Sequence, residues 1–399
     1  MRALLRTGSA IQAASALTLV AQNILAPRLM GAEHYGTAVS LLALPLLLQG
    51  VVEPMVNGTA IAARSRPDHW VVVRQVWLQL GALAPIGAMG VVVLGAKRQA
   101  DVVQLALLGA FVIFVLANTA LRGIAFAGQR HMTLAAHYVI GLVASLASIP
   151  LLMHWGASGY LAMMCLVQVA VLGTLLADSG LRGEARRILF ASSAPSGFAF
   201  VRTYLANLAP RASAMALGPG LLVVASAQLS PAGLAEFRVC QTLAGTLAYV
   251  LPLNPALLQA HAAASRCAPA DARSPVETYE VRALIFGALM VGFAAAAIWL
   301  LYPQITSFLL AQAGNAYHFQ FRALIWAAPF FVAAPLLSSM LLGLGLETMT
   351  LSISALCVVA TLLVAVFVGA AAAFLLGSVL AAISPAVAGW WLGFRRTRG

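Results

Sequence analysis

The chain has 399 residues, 62% of them hydrophobic and 9% charged, with a mean hydropathy of +0.94. Soluble proteins carry about 25% charged residues, so a soluble domain is excluded and a polytopic membrane protein is implied. The formal net charge of +12 would point to nucleic acid in a soluble chain. Here the cations sort by position along the chain instead, and no nucleic-acid partner is expected.

Apolar segments of about 20 residues, the length that crosses a bilayer, predict helices over 9–26, 36–56, 70–95, 102–126, 131–153, 158–178, 198–224, 231–256, 280–302, 322–345, 347–368 and 370–394. The connections are too short for a separate domain, so function must live among the helices. The expected fold class is all-α and polytopic: about twelve transmembrane helices in two parallel six-helix halves around a central cavity. Residues 1–178 form the first half, 179–197 a basic connection, and 198–399 the second half.

With the N-terminus in the cytoplasm, Arg2, Arg6, Arg64, Arg66, Arg130, Arg182, Arg186, Arg187, Arg266, Arg273, Arg395, Arg396 and Arg398 fall on the cytoplasmic side. Only Arg28, Lys97 and Arg98 fall on the other side. The positive-inside rule therefore places both termini in the cytoplasm. Arg2 and Arg6 ahead of an apolar run imitate a signal peptide, but Gln12, Ser15, Gln22 and Asn23 give that segment a polar face that a signal sequence does not need. The face is read as lining a wet cavity. Cys165, Cys240, Cys267 and Cys357 share no ligand spacing, and the histidines are scattered, so neither a metal site nor a cofactor is expected.

An ionisable residue inside the bilayer is costly and marks function by default. The stretch from Phe198 to Gln228 holds Arg202 and Arg211. On an ideal helix these face opposite sides, with Arg211 roughly 13 Å deeper. Tyr204, Asn207 and Arg211 share one stripe, whereas Arg202 can snorkel toward the basic connection. Pro210 removes a helical hydrogen bond in the same stretch. Further stripes are Gln49, Glu53 and Asn57; Asn118, Arg122 and Gln129; and Arg238, Gln241, Gly245 and Tyr249. Cations outnumber acids in this set. An anionic ligand follows, and the planar fork of arginine suits phosphate oxygens. The candidate substrate-binding residues are thus Arg211, Arg238, Arg122, Asn207, Tyr204, Gln12, Asn118 and Gln241, with Glu53 a coupling residue or an ion-pair partner. The plainer reading, in which these charges only neutralise one another across helices, stays open for each, and the sequence leaves Arg202 and Glu236 undecided between function and structure.

The two halves also echo each other. Gly31-Ala-Glu-His-Tyr-Gly36 falls against Gln228-Leu-Ser-Pro-Ala-Gly233, and Gly128-Gln-Arg-His-Met-Thr-Leu134 against Gly345-Leu-Glu-Thr-Met-Thr-Leu351. The twelve spans, the six-and-six division, Leu25-Ala-Pro-Arg-Leu-Met-Gly31-Ala-Glu-His-Tyr-Gly36 after a polar first helix, and Ala127-Gly-Gln-Arg-His-Met132 after the fourth span resemble the polysaccharide-transport flippases of the multidrug/oligosaccharidyl-lipid/polysaccharide exporter superfamily. The resemblance implies a non-enzymatic flippase in a bacterial inner membrane. Its substrate would be an undecaprenyl-pyrophosphate-linked glycan, moved by alternating access, with membrane lipids and the polysaccharide polymerase and export machinery as partners. Two alternatives remain. One is a related cation-coupled small-molecule exporter using Glu53. The other is a membrane-embedded glycan polymerase or transferase, against which the short outer connections and the lack of a paired-aspartate motif weigh.

Overall fold

A computed structural model of the chain describes residues 13–63, 69–128, 130–190, 212, 215–247, 276–310, 318–343 and 346–396. Among these residues all regular structure is helical, and the chain divides into two compact units. The first comprises Met1–Leu208 with Leu229–Ala235 and Leu309–Ala311; the second comprises the remainder. Eight described helices are long and apolar enough to cross a membrane, and Met132–Ala147 and Ala216–Gln228 are shorter apolar helices. The predicted spans at 9–26, 198–224, 231–256 and 322–345 lie partly outside the described residues.

The first unit opens with α1 (13–30), which loosens into a π-turn at Ala21–Leu25 just before Pro27. Proline has no N–H to return to the preceding turn, so a widened turn there has a local cause. Gly31, at φ 84°, ends α1 in a conformation that L side chains rarely adopt and releases the chain into α2 (Ala32–Ala63). Then come α3 (His69–Lys97) and α4 (Val102–Ala127). Asp101 opens α4 through a capping box, accepting from the Gln104 N–H at 2.8 Å while the Gln104 side chain accepts from the Asp101 N–H at 3.2 Å. The buried residues Leu108, Phe111, Val112, Val115, Leu116 and Thr119 repeat at helical spacing, and α4 packs against α2, α3 and α6.

α5 (His131–Ala147) and α6 (Ile149–Ala177) form the next pair. The sequence puts their boundary between 153 and 158; the structure turns first at Ser148 and again at Gly156, whose φ of 50° and ψ of −125° kink α6. The basic connection at 179–197 carries regular structure of its own. Residues Ser179–Leu189 are a helix, α7, capped by Asp178, whose Oδ1 accepts from the Leu181 N–H at 3.0 Å. Leu181 and Ile188 are buried and hold α7 against its own unit. An eleven-residue amphipathic helix has no long apolar run, so a search for spans passes over it.

In the second unit, α8 (216–228) opens with a π-turn, Ala216–Gly220, that contains Pro219. It is followed by α9 (Pro231–Thr246, in this unit from Glu236 on), α10 (Val276–Leu310, in this unit as far as Phe308), α11 (318–343, with a 3₁₀ turn at Ile325–Ala327), α12 (Glu347–Phe367) and α13 (Ala370–Arg396). Gln228 fastens the tight α12–α13 turn, donating to the Ala365 carbonyl at 2.9 Å and accepting from the Ala370 N–H at 3.2 Å.

Candidate functional site

The polar stripes meet partners inside the first unit. Asn23 Oδ1 accepts from Tyr35 at 3.1 Å and from Tyr160 at 3.5 Å, and Gln22 donates to Ser145 at 2.9 Å. Tyr35 and Tyr160 also pack edge to face, their rings 5.5 Å apart. Gln22 and Asn23 are buried, so the polar face of the first helix is satisfied by α2, α5 and α6 at these two residues, where the sequence reading assigned it to a wet cavity. A polar stripe shows that something hydrophilic faces it and does not say whether that is solvent or a neighbouring helix.

One turn apart on α2, Glu53 and Asn57 face α4 where Arg122 and Gly123 lie. Arg122 donates to Glu53 Oε2 at 2.7 Å, with side-chain exposures of 10% and 24%. Tyr138 on α5 shares the guanidinium. A Cβ on Gly123 would come within 3.3 Å of Asn57 Oδ1 and 3.2 Å of Val56, so glycine here permits the close approach of α2 and α4 that brings the charges together. Asn57 is 7% exposed, and its Oδ1 has no hydrogen-bond partner among the described residues. On α4, Asn118 donates to the Gln168 carbonyl at 2.8 Å and to its Oε1 at 2.7 Å. Three of the candidate residues, Glu53, Arg122 and Asn118, are therefore held by helix-to-helix bonds within one unit.

In the second unit Gln241 donates to the carbonyls of Leu217 at 2.8 Å and Gly218 at 3.2 Å, spanning the π-turn of α8. Arg238 is half-buried on the same helix, α9. Glu236 is fully buried and accepts from Tyr302 at 2.9 Å, and Cys240 lies 3.0 Å from the same hydroxyl. Arg211, Asn207, Tyr204, Gln12 and Arg202 lie outside the described residues.

A further cluster, which the sequence reading does not assemble, lies within the first unit. Arg130 donates to Asp178 at 3.1 Å and to Glu184 at 2.9 Å, and Thr133 donates to Asp178 Oδ2 at 2.6 Å. The Thr133 hydroxyl, then the Leu181 N–H and the Arg130 charge, outweigh desolvation and hold the Asp178 carboxyl below its usual pKa. Desolvation works against the charge on Arg130, but Glu184 and then Asp178 overcome it and raise that guanidinium further. The Asp-Ser-Gly start of α7 and its apolar pair at i and i+7 were the available signal, an N-cap followed by a helix stripe.

The architecture is that of a multi-pass membrane protein. One similar solved structure is an inward-facing multidrug-resistance MATE transporter of the MOP superfamily, at TM-score 0.59 and 15% identity, covering 98% of this chain and 95% of that one. The lipid II flippase MurJ, in an inward closed conformation, aligns at TM-score 0.65 and 8% identity over 97% of this chain and 86% of its own. A eukaryotic MATE transporter aligns at 0.61 and 14% over 96% and 94%. No protein-family model and no curated protein matches the sequence. At these identities the likeness is one of fold, and the fold is shared with the MATE and MurJ transporters of the MOP superfamily.

Proposed function

We propose that the chain is a flippase that carries an anionic lipid-linked glycan, of the undecaprenyl-pyrophosphate type, across a bacterial inner membrane by alternating access. The observation that carries this reading is the excess of arginine over carboxylate within the spans, together with a fold shared with a lipid II flippase. Each arginine at the centre of a helix costs roughly 2.5–3.5 kcal/mol to insert, so a surplus of them implies a compensating anion. Glu53 already faces Arg122 and Glu236 already accepts from Tyr302. Arg211 is the leading receptor for the pyrophosphate, with Arg238 and Arg122 in support. For Arg122 this requires the headgroup to compete with Glu53. Both termini are assigned to the cytoplasm by the sorting of arginines.

In cells, Arg211→Ala should abolish surface polysaccharide while the protein still inserts; full export by that variant would remove Arg211 from the site. A second reading, a cation-coupled exporter of small molecules, is favoured by the likeness to MATE transporters. It needs a carboxylate that can exchange with an ion, and Glu53 is the candidate. Drug resistance that depends on Glu53 in a pump-deficient strain, with polysaccharide unchanged, would establish it over the flippase.

A further inference from the structure

We infer that α7 is a membrane-surface ledge whose outward face binds the headgroups of anionic phospholipids. The helix starts immediately beyond the span Ile149–Ala177, which places it at the bilayer boundary. Its sequence, SGLRGEARRIL, divides cleanly around the helix axis. Leu181, Glu184, Ala185 and Ile188 form the inward stripe, with Leu181 and Ile188 fully buried. Arg182, Arg186 and Arg187 are all exposed and lie on the opposite side, with exposed Phe190 closing the same face.

Two features make this face a receptor for anions. First, the apolar stripe is already occupied by the protein, so α7 does not lie apolar-side-down in the lipid like a free amphipathic helix. Its cationic side is the one left to meet the surroundings. Second, Glu184 is the one acid in the helix, and it is drawn inward to Arg130 at 2.9 Å. Asp178, just before the helix, is held by Arg130, Thr133 and the Leu181 N–H. Among the described residues, the acids in and next to the helix are thus spent on pinning it. A Cβ on Gly180 would lie 2.6 Å from Arg130 Nη1, so the guanidinium rests directly on the first turn of α7 and fixes its position. The charge complementarity is to phosphate esters at the bilayer surface, and Phe190 is an apolar anchor at that boundary.

The test uses the full chain in nanodiscs, with a fluorophore on Gly183→Cys in a Cys267→Ser background. Gly183 has open space around an added Cβ, and Cys165, Cys240 and Cys357 are buried. Quenching by spin-labelled phosphatidylglycerol is compared with quenching by spin-labelled phosphatidylcholine. The expected result is local enrichment of the anionic lipid, weakening as salt rises. Replacing the three arginines by glutamine should remove it, by up to roughly fivefold per arginine, and replacing them by lysine should keep it. Thermal unfolding of each variant in phosphatidylcholine alone verifies that the fold is retained. Equal quenching by the two lipids, an unchanged preference in the glutamine variant, or no quenching by either lipid would overturn the inference. No transported substrate is needed, so this outcome is independent of the flippase reading.

Discussion

Arg122 and Glu53 form a 2.7 Å ion pair across α4 and α2, on side chains 10% and 24% exposed. Breaking a buried pair strands the remaining charge at a cost of about 3–5 kcal/mol, whereas removing both charges can be near neutral. Glu53→Gln alone and Arg122→Gln alone should therefore each lower the thermal midpoint of the detergent-solubilised protein clearly. The double variant should recover most of the loss. Additive losses in the double variant would mean that the two residues act separately.

The clasp around Asp178 makes a pH prediction. Its pKa is depressed in the folded protein, so the stabilisation is present above the unfolded carboxylate value of about 3.9 and is lost as pH falls through the lower folded value. The protection of α7 amides, measured as exchange relative to the intrinsic rate at each pH, should therefore be high at neutral pH and fall only in acid. Thr133→Val removes the leading contribution and should shift that transition to higher pH. Asp178→Asn should lower that protection at neutral pH and flatten its pH dependence. A transition that stays in place in both variants would show that Asp178 does not hold the helix.

Gln241 was singled out as a substrate ligand on its stripe, and its amide spans the Leu217 and Gly218 carbonyls of a proline-containing π-turn. A buried carbonyl that loses its partner costs about 1–3 kcal/mol. Gln241→Leu should lower the thermal midpoint, and Gln241→Glu, which as a carboxylate cannot donate, should be at least as damaging at alkaline pH. A variant with wild-type stability and lost transport would instead make Gln241 a substrate contact.

The spans were legible because crossing a bilayer demands long apolar helices, and hydropathy alone finds them. Their partners were not. The stripe Gln49, Glu53 and Asn57 announces a polar neighbour, yet only the packing of α2 on α4 through Gly123 shows that the neighbour is Arg122. Gln22 and Asn23 were read as facing water for the same reason, and Ser145, Tyr35 and Tyr160 occupy that place. The sequence reads Arg130 as a cytoplasmic cation within the Ala127–Met132 motif and offers no partner for it. Its grip on Asp178 and Glu184 joins residues about fifty positions apart, a distance at which no local periodicity operates.

The central claim is that intramembrane arginine receives an anionic lipid headgroup, and Arg211 carries it. Purified protein reconstituted in vesicles with a fluorescent lipid-pyrophosphate-linked glycan gives the direct measurement, because only the outer-leaflet label is open to a membrane-impermeant quencher. Three chains are compared over a range of salt: wild type, the variant with Arg182, Arg186 and Arg187 all changed to glutamine, and Arg211→Ala. Exposed charges are screened within about 8–10 Å at physiological salt and buried ones much less. The account predicts that the triple variant loses part of the flipping rate together with its salt dependence, while Arg211→Ala fails at every salt concentration. Flipping by Arg211→Ala at the wild-type rate would contradict it.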